Sequence, residues 1–323
     1  MAAAAVATRK RPAPDGACRP AAATAPAEKR RRYRFTSIDD YEMLEELGRG
    51  AYGVVAKARH RRTGETVAVK WIPGGDGARE AGCQAACRGH PSIVEIKDVA
   101  ADGESGDLFI VMELVGPSLR RRLTTVPFAE AEARAAMRQL LSAAEKMHAT
   151  RTIHRDIKPE NVLVGADGEL KLCDFGCATP TKPIGTPYPE PRVGTMQYCS
   201  PEQLMGDRCY GPAVDMWALG CVMAELLVGG VPLFDADTEE AVLMKIIDLR
   251  DEIESVGPQK VFDDWMELSP AGRDLLAGLL SFNPGERLTA AEALKHRWFT
   301  ETSPAPKPKY PGFVPLFSAP QEE

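Results

Sequence analysis

The residues HRDIKPEN, at positions 154–161, bring together side chains that phosphoryl transfer requires. Transfer from ATP needs a carboxylate to accept the proton of the attacking hydroxyl, oxygen ligands for Mg²⁺, and a cation near the moving phosphate. Asp156 supplies the carboxylate and Lys158 the cation, while Asn161 and Asp174, the latter in the DFG at 174–176, supply the oxygen ligands. A polar surface loop would explain neither this spacing nor the apolar strands predicted around it. The pattern therefore predicts phosphoryl transfer from Mg-ATP.

A glycine-rich stretch, GRGAYGVV at 48–55, predicts a phosphate contact. Glycine allows the backbone to lie close over phosphate groups without a side-chain clash, so Gly48, Gly50 and Gly53 are the candidates. The same spacing would suit a dinucleotide-binding fold if a helix followed, but the next residues read as another strand and turn.

Lys70 ends the strand-like run VAVK, seventeen residues beyond Gly53. A lone strand lysine is usually solvated, so its function depends on its neighbours. Glu80 lies ten residues further on, in a predicted helix, and its carboxylate could accept a charge-assisted hydrogen bond from the ammonium group. Lys70 and Glu80 are therefore added to the candidate catalytic residues.

The elements that must position these residues fall into two groups. From Tyr41 onward, short alternating runs separated by glycine-rich turns predict a β-meander. Residues 74–90 predict a helix that its glycines keep short or only conditionally ordered. After Gly116 the apolar residues follow helical spacing. The sequence therefore predicts an α+β fold with a small β-rich N-lobe and a larger α-helical C-lobe.

The charge of the chain is divided unevenly. Residues 1–34 hold nine Lys or Arg against two acidic residues, a net +7, which leaves −13 for the remainder of a chain whose total is −6. This Ala- and Pro-rich tail is predicted to be disordered. Its clusters RKR and KRRR could form a nuclear-import signal, contact nucleic acid, belong to a transit peptide or have no reader at all. The acidic body opposes broad nucleic-acid binding.

Two further features concern the compartment. The sequence has no apolar run long enough to span a membrane and no secretory signal, so a nuclear or cytoplasmic location is expected. The eight cysteines are scattered without metal-ligand spacing, which favours free thiols in a reducing compartment.

From Tyr41 to Phe299 the sequence resembles a eukaryotic protein kinase catalytic domain. The resemblance rests on seven motifs in order: GRGAYGVV, VAVK, HRDIKPEN, DFG, SPE, VDMWALG and NPGERLTAAEALKHRWF. The stretch VDMWALGCVMAELLVGGVPLF is similar to that of cyclin-dependent kinases, including their divergent plant F-type group. The implied organisation is a tail at 1–40, a catalytic domain at 41–299 with its lobes divided at 115 and 116, and a Pro-rich tail at 300–323.

The resemblance also implies roles for individual residues. Asp156 is the catalytic base, Lys158 acts at the γ-phosphate, Lys70 pairs with Glu80, and Thr195 contacts the catalytic loop, residues 154–161, as in kinases that act on Ser or Thr. Met112 is the gatekeeper, Glu113 and Val115 offer hinge backbone to adenine, Glu202 pairs with Arg287, and Asp215 ties down the catalytic loop. The residues expected around ATP are Gly48, Gly50, Tyr52, Gly53, Val55, Ala68, Lys70, Met112, Glu113, Val115 and Leu163, with Mg²⁺ held by Asn161 and Asp174.

Four features depart from the cyclin-dependent pattern. The helix expected to face a cyclin reads GGDGAREAGC, which puts cyclin binding in doubt, and Cys199 replaces an arginine that shapes a proline-selective pocket. The connection between Ile247 and Leu268 is short, and Ser118 stands where an aspartate commonly meets the ribose. Protein substrates, including other kinases, remain the expected partners, and a scaffold with a kinase fold but no catalysis is the alternative function.

The activation segment, defined here as residues 174–202, carries Glu190 at the position of the usual activating phosphothreonine, twelve residues before Glu202. Two of the usual arginine partners are present as Arg79 and Arg155, whereas the third falls on Thr179. One hypothesis is that the carboxylate substitutes for the phosphate. The other is that Glu190 is an ordinary exposed residue and that the switch is Thr186 or no residue.

Overall fold

The structure is a computed structural model that describes residues 35–50, 53–73, 77–265 and 267–301. Residues 1–34 of the predicted tail at 1–40, residues 302–323 of the predicted tail at 300–323, and Tyr52 of the glycine-rich stretch lie outside the described residues. The first lobe contains a six-stranded sheet in the order β1-β5-β6-β4-β3-β2. Its strands are β1 (Thr36–Ser37), β2 (Tyr41–Gly50), β3 (Gly53–His60), β4 (Thr66–Ile72), β5 (Ile96–Ala101) and β6 (Leu108–Glu113).

Pairing across this sheet places predicted nucleotide residues on one face. Val55 lies opposite Lys70, and Lys70 lies opposite Ile110. Ala68 lies opposite Met112 in the same antiparallel register. Because directly opposed residues point to the same side of a sheet and alternate residues share a face, Val55, Ala68, Lys70 and Met112 share the face that looks into the cleft.

Helix α1 (Gly77–Ala86) packs on this lobe. Its buried positions are Gly77, Glu80, Ala81, Cys83 and Gln84. The Gln84 side chain donates to the carbonyl of Val94 at 2.9 Å, which fixes the helix to the segment before β5. The short helix that the sequence predicts for residues 74–90 is present, and these contacts compensate for its weak intrinsic propensity.

Residues 35–40 differ from the sequence expectation, which assigns them to the tail. Thr36 and Ser37 pair in parallel with Ala100 and Ala101 of β5. The Ser37 hydroxyl accepts a hydrogen bond from the backbone N–H of Asp39, and Ile38 packs against an apolar cluster on the sheet. These contacts extend the folded region to the N-terminal side of Tyr41.

The second lobe is mainly helical. Its helices are α2 (Leu119–Arg122), α3 (Glu130–Ala149), α4 (Pro201–Leu204), α5 (Ala213–Val228), α6 (Glu239–Val256), α7 (Pro258–Trp265), α8 (Pro270–Leu279) and α9 (Ala290–Leu294). Four short strands form two ribbons, β8 (Val162–Val164) with β9 (Leu170–Leu172) and β7 (Thr152–Ile153) with β10 (Thr179–Pro180). The end of α6 together with α7 occupies the short connection predicted between Ile247 and Leu268.

Helix α5 forms the centre of the second lobe. It is apolar on all sides and almost completely buried, as expected for a core helix. The helix ends at Gly229, whose φ of 86° is a left-handed conformation that favours glycine. The prediction of a small β-rich lobe followed by a larger helical lobe is confirmed. Within the described ranges, no helix has the length and apolar character required to cross a membrane.

Candidate active site

Lys70 joins the two lobes. Its Nζ lies 2.6 Å from Oε1 of Glu80 on α1 and 2.7 Å from Oδ1 of Asp174. Burial opposes charge on the ammonium group, but the two carboxylates outweigh that effect and raise the pKa of Lys70 above its ordinary value. Burial likewise opposes ionisation of Asp174, yet Lys70 and the N–H of Gly176 lower the pKa of that carboxyl. The ion pair predicted from sequence is therefore formed, with the DFG aspartate as a third member.

Asp156 lies in a buried position where the catalytic loop meets the activation segment. Its Oδ1 accepts hydrogen bonds from the backbone N–H of Thr195 at 2.9 Å and from the Thr195 hydroxyl at 2.8 Å. Lys158 Nζ lies 3.0 Å from Asp156 Oδ2 and 2.5 Å from Thr195 Oγ1. The structure thus brings together the predicted base Asp156, the predicted γ-phosphate cation Lys158 and the predicted loop contact Thr195.

Asn161 and Asp174 provide oxygen ligands that fit Mg²⁺. Asn161 donates its Nδ2 to the carbonyl of Asp156 at 2.9 Å and to Asp156 Oδ2 at 3.0 Å. Because the amide nitrogen is engaged in this way, Oδ1 is the side-chain atom left to bind a metal. An amide oxygen and a carboxylate are hard oxygen ligands of the kind that Mg²⁺ prefers.

Asp215 of α5 anchors the backbone of the catalytic loop. Its carboxylate accepts hydrogen bonds from the backbone N–H groups of His154 and Arg155, each at 2.9 Å, and lies 3.0 Å from Nε2 of His148. Burial opposes ionisation, but the contacts with the two histidines lower the pKa of Asp215. Asp215 therefore fixes the loop backbone on the core helix, as the resemblance implies.

His154 has a positioning function that the sequence analysis did not assign. Its Nε2 lies 3.0 Å from the carbonyl oxygen of Cys173, and its ring contacts that of Phe175 with centroids 5.0 Å apart. Phe175 is fully buried, and Asp174 beside it has a left-handed φ of 59°. These contacts orient Asp174 toward Lys70, a relationship that only the three-dimensional arrangement shows.

The predicted adenine residues lie around one apolar cluster. Met112 is buried there, and Val115, Leu163 and Cys173 pack against the same cluster. The backbone N–H of Glu113 donates to the carbonyl of Glu95 at 3.0 Å, so Glu113 can offer only its carbonyl to a ligand. Cys173 is an additional lining residue that the sequence analysis missed.

Gly53, in the glycine-rich stretch 48–55, lies against the backbone of Trp71. Its φ is 132°, and a Cβ built there would lie 2.1 Å from the carbonyl oxygen of Trp71. Only glycine fits this position. Gly48 and Gly50 have open space around such a Cβ, so the described protein atoms do not themselves exclude a side chain there.

Glu190 is placed between two arginines. Its Oε1 lies 2.9 Å from Arg79 Nη1 and its Oε2 lies 3.5 Å from Arg155 Nη1. Arg155 also donates to the carbonyl of Cys177 at 2.7 Å and to the Tyr210 hydroxyl at 3.1 Å. Partial burial opposes ionisation, but a backbone N–H and the two guanidinium groups lower the pKa of Glu190. Thr179, at the third position, is buried in β10 and adds no cation.

Gly194 is a second position missed from sequence. Its φ is 96°, and a Cβ there would lie 2.3 Å from the carbonyl oxygen of Arg155. The activation segment thus touches the catalytic loop backbone immediately before Thr195. The glycine–threonine pair in VGTM was the sequence signal for this contact.

Glu202 and Cys199, near the end of the activation segment, are both buried. Arg287 donates to both carboxylate oxygens of Glu202, at 2.9 and 3.1 Å, as the resemblance implies. Cys199 is buried, and its Sγ lies 3.7 Å from the carbonyl of Val193 and 3.8 Å from Nη1 of Arg192. A thiol thus faces the segment backbone at the position where the resemblance to cyclin-dependent kinases implies an arginine.

Comparison with known proteins agrees with this geometry. A family model described as "Protein kinase domain" matches residues 41–299. The chain is 43% identical over 304 residues to a rice (Oryza sativa subsp. japonica) protein named as a candidate cyclin-dependent kinase F-2, covering 83% of this chain and 92% of that protein.

Two further relatives are more distant. The chain is 35% identical to cyclin-dependent kinase G-1 of Oryza sativa subsp. indica, covering 89% of this chain but only 46% of that protein. It is 36% identical to the serine/threonine-protein kinase ppk23 of Schizosaccharomyces pombe, covering 87% of this chain and 77% of the relative. The chain therefore spans nearly all of the F-type relative and about half of the G-type one.

Proposed function

The chain belongs to the protein kinase family and is a Ser/Thr kinase similar to the cyclin-dependent kinases, and from this premise we propose which residues carry out its phosphoryl transfer. The observation that carries the proposal is the position of Lys70 between Glu80 and Asp174. Phosphoryl transfer in protein kinases needs the ion pair that corresponds to Lys70–Glu80 and a DFG aspartate placed to hold Mg²⁺. The two contacts of Lys70 bring these groups together and join the lobe that covers the nucleotide to the lobe that holds the acceptor. A scaffold without catalysis would not require them together.

Asp156 is the proposed catalytic base. Its Oδ1 is held by Thr195 and its Oδ2 by Asn161 and Lys158, so the carboxylate is fixed where a substrate hydroxyl would enter. Asp156 accepts the proton of that hydroxyl as the oxygen attacks. Lys158 places its positive charge beside the transferred group, with its Nζ 3.0 Å from Asp156 Oδ2.

The nucleotide is proposed to lie between the sheet face and the second lobe. Bound Mg-ATP supplies the γ-phosphoryl group that is transferred. Gly48, Gly50, Tyr52 and Gly53 would cover its phosphates, and Val55, Ala68, Met112 and Leu163 would contact the adenine. Glu113 and Val115 would bind the edge of the adenine through the backbone, Lys70 would hold phosphate oxygens, and Asn161 with Asp174 would hold the metal.

Glu190 is proposed to order the activation segment in place of a phosphate. The support is its simultaneous contact with Arg79 of α1 and Arg155 of the catalytic loop. One carboxylate charge is opposed here by two arginines, whereas a phosphate brings a charge of about −1.5 to −2 and commonly faces more. This geometry favours the phosphate-substitute hypothesis over an ordinary exposed glutamate.

The proposed partners are protein substrates, and a cyclin is not required in this proposal. Protein Ser or Thr residues are the substrates, and other kinases are proposed among them. Glu80, Arg79 and Gln84 connect helix α1 to other segments of the chain, so the active arrangement is proposed to be accessible without a cyclin, to the extent that α1 is ordered. The catalytic domain is proposed to extend over residues 41–299, with action in the nucleus or cytoplasm.

Phosphate transfer from Mg-ATP by the purified chain tests this function. The acceptors are a mixed Ser/Thr peptide library, and the control is Asp156→Asn, which keeps the size of the side chain. We expect transfer by the wild type and a loss of about 10²–10⁴-fold in the variant, the range for removal of a general base. Equal activity in both proteins would refute the assignment of Asp156. Nucleotide binding without transfer by the wild type would favour the scaffold.

A further inference from the structure

Arg120 of α2 occupies an acidic pocket in the second lobe. Its Nε lies 2.6 Å from Oε1 of Glu160, and its Nη1 is bonded to Oε1 of Glu225. Its Nη2 donates to the hydroxyl of Tyr198 at 2.8 Å, and that hydroxyl donates to Glu225 Oε2 at 2.6 Å. Nη1 also donates to the carbonyl of Gly230 at 3.1 Å. One guanidinium group therefore engages two carboxylates, a tyrosine and a backbone carbonyl.

This pocket is connected directly to the residues that meet the acceptor. Glu160 lies two residues after Lys158, and Tyr198 lies three residues after Thr195. Glu160 lies in the 3₁₀ turn Pro159–Asn161, which directly follows Lys158. Tyr198 lies in the 3₁₀ turn Met196–Tyr198, which directly follows Thr195. With about 3.8 Å between successive Cα atoms, both side chains start within roughly 11 Å of the Cα atoms that flank the acceptor position. A bound peptide would extend across this region.

The pocket is built to hold a cation. The Glu225 side chain is fully buried on α5, whereas that of Glu160 is 44% exposed and that of Arg120 is 29% exposed. Within the described part of the chain, Arg120 is the cation bonded to these two carboxylates. A buried carboxylate needs such a partner, because an unpaired buried charge is strongly unfavourable. The exposed sides of Glu160 and Arg120 show that the pocket opens to solvent.

We propose that Arg120 is a specificity-determining residue that fills, from within the chain, an acidic subsite of the peptide-binding surface. With Arg120 in place, the subsite is neutralised and the enzyme does not select an Arg or Lys side chain there. With Arg120 removed, Glu160 and Glu225 accept a basic side chain of the substrate instead. The inference rests on the proposed function, because it assigns the substrate preference of the same site.

Peptide binding tests this proposal separately from catalysis. The probes are fluorescent peptides with a central Ser in a neutral sequence, in which Arg or norleucine is placed in turn at each position around the Ser. Dissociation constants are measured for the wild type, Arg120→Ala and Arg121→Ala. Arg121 is an exposed neighbour on the same short helix and serves as the matched control.

We expect the wild type and Arg121→Ala to bind each Arg and norleucine pair alike. Arg120→Ala is expected to bind the Arg peptide about tenfold more tightly at one position, the gain from a charged hydrogen bond. Should that variant fail to fold, Arg120→Met with Glu225→Gln removes the unpaired buried charge, leaves Glu160 free and should show a smaller gain at the same position.

Two results would overturn the proposal. One is a wild type that already prefers Arg at that position, and the other is an unchanged preference in every folded variant. The proposed function fails by a different measurement, the absence of phosphate transfer by the wild type, since peptide binding is read without turnover.

Discussion

Arg79 on helix α1 and Glu190 in the activation segment are joined by a hydrogen-bonded ion pair, with 2.9 Å between Nη1 and Oε1. The next residue of α1, Glu80, is bonded to Lys70. Adjacent residues of one short helix therefore contact the activation segment and Lys70. Because α1 is a rigid connection between these contacts, loss of the first should weaken the second.

The charge of Glu190 should therefore be needed for turnover. Replacing Glu190 by Ala removes the carboxylate that Arg79 and Arg155 share, so the activation segment and α1 lose a common anchor. We expect kcat/KM to fall roughly tenfold or more, which corresponds to at least about 1.4 kcal/mol of transition-state stabilisation. Steady-state kinetics with a Ser/Thr peptide and Mg-ATP would measure this effect.

Thr186 provides the comparison for this prediction. It lies in the same segment, and Thr186→Ala should leave turnover within about twofold of the wild type, since surface changes away from key contacts are usually small. A loss in Thr186→Ala with no loss in Glu190→Ala would establish the other reading, in which Thr186 is the switch.

The pKa of Glu190 gives a pH-dependent signature. Its folded-state pKa lies below the ordinary value of 4.5, so its contribution to stability is fully present above that value and is lost as the pH falls through the folded-state pKa. The wild type should be more stable than Glu190→Gln at neutral pH, and the difference should disappear in acid. Urea unfolding of both proteins at stepwise lower pH measures it. A difference that grows in acid would contradict the assignment.

The grouping of the candidate catalytic residues could be predicted because their spacing is local. HRDIKPEN and DFG place Asp156, Lys158, Asn161 and Asp174 within 19 residues of one another, and the role proposed for each follows from its chemical type. The two lobes were likewise predicted because the change from alternating to helical apolar spacing is strong. Both predictions were possible because each pattern lies within a short stretch of sequence.

The contacts that were missed depend on distant segments. The bond between His154 and the carbonyl of Cys173, and the pocket of Arg120 on α5, join residues 19 and 105 positions apart. No periodicity indicates which carboxylate an arginine will meet. The strand at Thr36–Ser37 was missed for a similar reason, since a two-residue parallel pairing has no sequence pattern of its own.

The contact of Gly194 with the catalytic loop should make this position intolerant of a side chain. In Gly194→Ala the Cβ would lie 2.3 Å from the carbonyl oxygen of Arg155, and φ would remain unfavourable. Because Thr195 would be displaced from Asp156, we expect about a hundredfold loss of kcat, the effect of roughly 1 Å of misplacement. Single-turnover kinetics would separate this loss from any change in nucleotide binding.

Gly185 is the matched control within the same segment. Its φ is 79°, but a Cβ there meets nothing within 4 Å. Gly185→Ala should therefore cost about 1–2 kcal/mol of stability from backbone strain alone and leave kcat unchanged. Equal losses of kcat in both variants would show that strain in the segment, rather than the contact with Arg155, determines activity.

The order of helix α1 should limit activity, because the Lys70–Glu80 pair depends on it. Gly82 is exposed in the middle of this helix, and a Cβ there meets nothing within 4 Å, so Gly82→Ala should stabilise the helix by about 0.5–1 kcal/mol. Ala85 is also exposed on α1, and Ala85→Gly should weaken the helix by a similar amount. We expect amide-exchange protection over residues 77–86 to rise by up to about fivefold in the first variant and to fall in the second.

The turnover of the chain alone should change in the same directions, because neither side chain touches the nucleotide or the acceptor. If protection changes as expected while turnover stays constant in both variants, helix order is not limiting, and a partner that binds α1 would have nothing to gain by ordering it.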